Sequence, residues 1–182
     1  ILYIGSLTIS SGHKIDILPP LLKKALEKNP KIKLHIAGSG DDENYLKSQL
    51  RQLGLDSHYQ YYGRFTKEQL PDIIKNINVI IDPVDASINA RAKSSFRVCL
   101  AMACGLPVIT SNIGIRPFLI PPAFHNRFFA QPNDISDYTN KLLATLAHPL
   151  SQQEKQVLIQ HSQKYSWSNL ASLYLDKINS LI

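Results

Sequence analysis

The feature that most constrains this chain is a rhythm in which short apolar runs, each stopped by a turn signal, alternate with longer stretches of helical spacing. Ile1-Leu2-Tyr3-Ile4 stops at Gly5, Ile32 to Ala37 stops at Gly38, and Tyr59 to Tyr62 stops at Gly63. Val79-Ile80-Ile81 stops at Asp82-Pro83, and Pro107 to Thr110 stops at Ser111-Asn112. Arg127-Phe128-Phe129-Ala130 is a weaker sixth run. Amphipathic stretches fill 16–28, 43–53, 67–76 and 95–104, and from Ile135 onward the pattern is helical, with breaks at Pro149 and around Ser166. Strands that alternate with helices read as parallel, because each helical crossover returns the chain to the same sheet edge. The expectation is an α/β fold, a doubly wound parallel sheet of about six strands with helices on both faces, formed by residues 1–182 as a single domain.

Local chemistry supports these boundaries. Asn29-Pro30 halts the first helix, since the residue before proline avoids the helical region and proline breaks the ladder. Leu53-Gly54 and Cys104-Gly105-Leu106-Pro107 place a glycine where a helix ends in the left-handed conformation. With 44% hydrophobic residues the chain can build a sizeable core. No apolar run approaches the roughly 20 residues of a membrane-spanning helix, and no signal peptide precedes the first strand. The expected location is therefore cytoplasmic. Cys99 and Cys104 are too few for a zinc site and badly spaced on one helix for a disulfide, so both are expected as reduced core residues. The first strand begins at residue 1 without an initiator Met, which reads as a cut inside a longer polypeptide.

The formal charge is +6. Its lysines and arginines are scattered, at 23, 24, 28, 31 and 33 and again at 47, 51, 64 and 67, with no dense block and no aromatic interleaving. That excludes a nucleic-acid partner and leaves a solvated basic surface, with peripheral contact at an anionic inner-membrane face as the second reading.

Several catalytic signatures are absent. There is no GxGxxG, GxxxxGK[ST], HExxH or GxSxG, and the six histidines are dispersed, more readily surface or satisfied residues than metal ligands. In an open parallel sheet, ligands sit at the carboxyl ends of the strands where the order reverses. The loops after Gly5, Gly38, Gly63 and Asp82 all address that edge. At the fourth junction Asp85 to Ala92 is polar and irregular, and Lys93-Ser94-Ser95 then opens a helix. Serines there can cap orphan N–H groups, the helix dipole favours an anion, and Lys93 with Arg97 one turn later can supply positive charge to a diphosphate. An ordinary serine-capped helix with exposed basic residues explains the same pattern equally well.

Taken in order, these segments resemble the C-terminal lobe of retaining GT-B glycosyltransferases of the glycosyl-transferases group 1 family. The likeness covers nearly the whole chain: the strand to Gly5 and Asp16-Ile17-Leu18; Leu34 to Gly40; Tyr61-Tyr62-Gly63-Arg64-Phe65; Asn78 to Pro83; and Tyr165-Ser166-Trp167. Ala101-Met102-Ala103-Cys104-Gly105-Leu106-Pro107-Val108-Ile109 is its most specific part.

The resemblance implies transfer of a sugar from a nucleotide-sugar with retained configuration, and no metal or cofactor besides that donor. It places Gly5, Ser6 and the Lys14 region near the donor phosphates and Gly38 on the same edge. Arg64 and Phe65 would flank the base, and Lys93, Ser94, Ser95 and Arg97 would meet the diphosphate. An N-terminal domain of the same protein would be the missing acceptor half. Family members commonly carry two glutamates where this chain has Ala92 and Leu100, and the second accepts hydrogen bonds from ribose, which leucine cannot do. Ser6 stands where Arg is frequent, and His13 or Lys14 lies near the usual Lys. A non-catalytic binding module that has lost donor chemistry is the alternative, and an epimerase of the same two-lobed fold is a third that no acid–base pair supports. The last helix is expected to expose an apolar stripe at Leu170, Leu173, Leu175 and Ile178.

Overall fold

A computed structural model describes residues 1–181. Five parallel strands, β1 (Leu2–Ile4), β2 (Leu34–Ala37), β3 (Tyr59–Gly63), β4 (Ile80–Ile81) and β5 (Val108–Ile109), lie in the order β3-β2-β1-β4-β5. Around them run α1 (Leu18–Leu26), α2 (Glu43–Gln52), α3 (Leu70–Ile74), α4 (Ile88–Ala92), α5 (Phe96–Ala103) and α6 (Arg116–Leu119). The chain then continues through α7 (His125–Phe128), α8 (Ile135–Ala147), α9 (Gln152–Ser162) and α10 (Trp167–Asn179).

The side-chain alternation of each strand feeds two cores, as a doubly covered sheet requires. Tyr3, Leu34, Ile36, Val79, Ile81 and Ile109 pack with α1, α2 and α8 on one face. Leu2, Ile4, Ala37, Ile80 and Val108 pack with α3, α5, α6, α7 and α9 on the other. Sheet and face assignment thus follow the reading from sequence.

The strand count does not: it is five rather than six. The first half of the run at 127–130 is the end of α7, and only a single bridge between Thr110 and Phe129 remains of the expected strand. Phe128 is fully buried among the second cluster, so its apolar character serves helix packing. The first amphipathic stretch starts as a tight turn over 15–17 and becomes α-helical at Leu18. The third shrinks to Leu70–Ile74, because Pro71 fits only a first turn. The segment read as irregular contains the short α4, capped by Ser87 accepting from the Ala90 amide.

Cys99 is half-buried, but Cys104 is exposed, which corrects its expected place in the core; both are free thiols. Leu173, Tyr174, Leu175 and Ile178 on α10 are exposed, together with Trp167 at its start, and no residue of that helix is buried. Among the described residues no helix is long and apolar enough to cross a membrane.

Candidate functional site

Strand order reverses between β1 and β4, so the loops leaving these two strands diverge and open a crevice. Backbones crowd at its lip. Gly38 has φ 138°, and a Cβ on it would run into the Gly5 carbonyl oxygen, so glycine alone lets the ends of β1 and β2 approach this closely.

Directly after β4, Asp82 is fully buried. Its Oδ1 accepts from Arg97 Nε at 2.6 Å, and its Oδ2 from Arg116 Nε at 2.8 Å, Ser95 Oγ at 2.9 Å and Thr110 Oγ1 at 3.1 Å. One carboxylate therefore ties β4 to α5, α6 and the end of β5. Burial alone would raise its pKa, but the adjacent Arg97 and Arg116 charges reverse this and hold it well below the usual carboxylate range. Arg97 and Arg116 are 5% and 3% exposed. Two buried cations share one buried anion, so the network carries a net positive charge.

Arg97 makes two further polar contacts. Nη1 donates to the Ile4 carbonyl at 3.1 Å, and Nη2 lies 3.1 Å from His13 Nδ1. Its guanidinium also covers the Tyr3 ring at 4.7 Å. Ser95 accepts from the Val98 amide and caps α5, as its position before the helix predicted.

Above this network lies a cleft of about 180 Å³ lined by Gly5, Ser6, Gly12, His13, Ala90, Lys93, Ser94, Ser95, Phe96, Arg97 and Arg116. Six of the candidate residues thus meet in one place: Gly5, Ser6, Lys93, Ser94, Ser95 and Arg97. Lys93 and Ser94 are exposed there, and Lys93 Nζ donates to the Ser11 carbonyl. The other four lie apart from this lining. Lys14 pairs with Asp16 at 2.8 Å. Gly38 is buried at the neighbouring strand end, where Arg64 Nε donates to Ser39 Oγ at 3.1 Å. Phe65 borders a separate hollow with Tyr62, Gln69 and Ile73. Of the two departures from the family pattern, Ala92 is exposed at the end of α4 and Leu100 packs half-buried against the second apolar cluster.

Of the two residues near the position of the family's usual lysine, His13 and not Lys14 lines the cleft. Burial, then the charges of Arg97 and Lys93, lower its pKa from 6.5 to about 4, so its imidazole is neutral at physiological pH. Asp82 was not foreseen as part of the site. A charged residue placed directly after an apolar strand, before proline, was the available signal for Asp82.

A wider hollow of about 610 Å³ lies beyond β5, bordered by Asn112, His125, Asp137 and Lys141. Its charges are already engaged: Asp137 accepts from the Gln131 amide at 2.8 Å and Lys141 donates to the Asn126 carbonyl. The smaller cleft, with buried charge beneath it, is the chemical candidate.

Comparison with known proteins bears on the fold and the family. Residues 1–164 match the family model of glycosyl transferases group 1. An uncharacterized glycosyltransferase of Methanocaldococcus jannaschii is 28% identical over 176 residues, 94% of this chain and 42% of that protein. The chain spans between 33% and 42% of the length of the curated relatives it matches. Among solved structures, the C-terminal domain of a glycosyl transferase group 1 family protein from Francisella tularensis superposes with TM-score 0.66 at 17% identity, covering 95% of this chain and 85% of that one. Anabaena HepE, solved in complex with UDP, gives TM-score 0.75 at 17% identity, with 98% and 48% coverage. These likenesses establish the fold as the Rossmann-like half of a GT-B fold. With the family model matching most of its length, the chain belongs to the glycosyl transferases group 1 family.

Proposed function

We propose that this chain is the donor-binding lobe of a hexosyltransferase that moves a sugar from a nucleotide-sugar to a glycan, lipid or other acceptor with retained anomeric configuration. The observation that carries the reading is the charge count at the switch point. Lys93, Arg97 and Arg116 border one cleft, and Asp82 is the single buried carboxylate among the described residues. A diphosphate brings the negative charge this arrangement lacks, and fixed positive charge at a partly dry site stabilises a departing diphosphate far better than water does. The binding of UDP by Anabaena HepE, on the same fold, supports a nucleotide ligand. The exposed apolar residues of α10 support packing against a second lobe of the same polypeptide, which would supply the acceptor pocket. Exposed Lys23, Lys28, Lys31 and Lys33 around the end of α1 support cytoplasmic work close to an anionic membrane surface.

Calorimetry with UDP-, GDP- and ADP-sugars tests the reading. Binding that weakens in Lys93→Ala supports it. Silence across the panel, in a polypeptide carrying both lobes, would instead favour a binding module without donor chemistry, the reading that Leu100 in its apolar cluster suggests.

A further inference from the structure

We propose that His13 is a donor-contacting residue that works as a neutral hydrogen-bond donor, with Arg97 as the positioning residue that fixes its tautomer. The inference rests on the reading of the cleft as a diphosphate site.

The geometry leaves little freedom. A guanidinium has only donors, so a nitrogen 3.1 Å from Arg97 Nη2 must be bare. His13 Nδ1 is therefore the acceptor, and the ring proton sits on Nε2. Arg97 cannot swing away from this contact, because its Nε and Nη1 are held by Asp82 and the Ile4 carbonyl. Among the described residues His13 makes no other hydrogen bond, and its half-buried ring lines the cleft beside Gly12, Lys93 and Ser94. An N–H with no protein acceptor, set among cations, is matched by an anionic oxygen. Three of the five Arg97 N–H groups are engaged with Asp82, the Ile4 carbonyl and His13, which holds the guanidinium in place beneath the ring.

Burial first, and then the charged groups around the ring, keep it neutral. Arg97 from α5, Lys93 from the α4–α5 junction and Arg116 from α6 oppose a further positive charge, and only Asp82 from β4, already clamped, favours one. A diphosphate would thus meet a polar contact that adds no charge and does not vary over the physiological pH range.

The test uses the 182-residue chain and UDP-glucose, whose esterified diphosphate does not titrate near neutrality. Imidazole ¹⁵N spectra are expected to show His13 as the Nε2–H tautomer from about pH 8 down to about pH 5, with its Nε2 signal moving when UDP-glucose is added. His13→Gln, which keeps an N–H donor and an acceptor for Arg97, is expected to bind within about threefold of the original, and His13→Leu roughly tenfold or more weakly. Affinity is expected to be flat through about pH 6.5, where an ordinary histidine cation would tighten binding on acidification. An Nδ1–H or charged imidazole in the free chain overturns the proposal, as does equal binding by the Leu variant. If neither UDP-, GDP- nor ADP-glucose binds the unsubstituted chain or a polypeptide carrying both lobes, the diphosphate reading itself falls and takes this inference with it, whatever the tautomer.

Discussion

Ser95 uses one hydroxyl for two purposes: Oγ donates to Asp82 Oδ2 at 2.9 Å and accepts from the Val98 amide at 3.3 Å, joining the cap of α5 to the buried ion network. Ser95→Ala leaves an amide uncapped and a carboxylate lone pair empty, both away from water. We expect a loss of about 2 kcal/mol in urea-unfolding free energy. A loss under about 0.5 kcal/mol would mean that water or a shifted side chain takes over both roles.

Asp82→Asn removes the counter-charge of two buried arginines. The expected cost is about 3–5 kcal/mol, since breaking a buried pair strands its partners. The pH dependence has a defined sign. A carboxylate whose folded pKa is depressed contributes stability that is complete above its unfolded value of about 3.9 and is lost as pH falls toward the folded value. The gap between the original chain and the Asn variant is therefore expected to be constant near neutrality and to narrow below about pH 4.

His13 contributes a second, separable pH effect. Its folded pKa is lowered from 6.5 to about 4, so the unfolded chain binds the extra proton first. Unfolding free energy is expected to fall as pH drops from 6.5 toward 4, and this slope is expected to flatten in His13→Gln. Parallel slopes for the two proteins in denaturant titrations would contradict the neutral assignment.

Tyr138 is fully buried on α8, where its hydroxyl pairs with Ser111 Oγ at 2.8 Å and accepts from the Val84 amide at 3.2 Å. It pins the segments after β4 and β5 from the side opposite Asp82. Tyr138→Phe keeps the packing but orphans both partners, for an expected loss of about 1–3 kcal/mol.

Gly38→Ala is expected to destabilise by clearly more than 1 kcal/mol, because its backbone conformation and the Gly5 carbonyl both exclude a Cβ. Gly54→Ala, at φ 69° in the left-handed helical region, faces a smaller backbone penalty and meets open space, so it is the milder variant of the pair in thermal unfolding.

Much of the fold is legible in the sequence because alternation and punctuation act locally. Leu2 and Tyr3 face opposite cores by strand geometry alone, and Ser95 caps a helix because it precedes one. What misleads is tertiary context. Phe128 and Phe129 look like a strand, yet Phe128 turns into a helix because the second core, not a sixth strand, takes its ring. Arg97, read as a cation facing ligand, is largely engaged with Asp82 fifteen residues earlier in sequence. Charge patterning along a helix cannot foresee a partner at the end of another strand. Lys14 and His13 are adjacent, and only the fold decides that the histidine faces the cleft while the lysine pairs with Asp16.

The contact between Arg97 and the Ile4 carbonyl spans 93 residues of sequence, and the cleft lies where these distant segments meet. No early subset of strands can contain that cleft, since β1, β2 and β3 can associate without forming either its floor or its far wall. A ligand held there recognises only the completed topology, so it adds RT ln(1 + [L]/Kd) to the stability of the native state and little to partly folded ones. The rise in thermal midpoint on adding a nucleotide-sugar thus becomes a gauge of long-range closure, and a chain cut anywhere between β3 and α6 is expected to lose that response entirely.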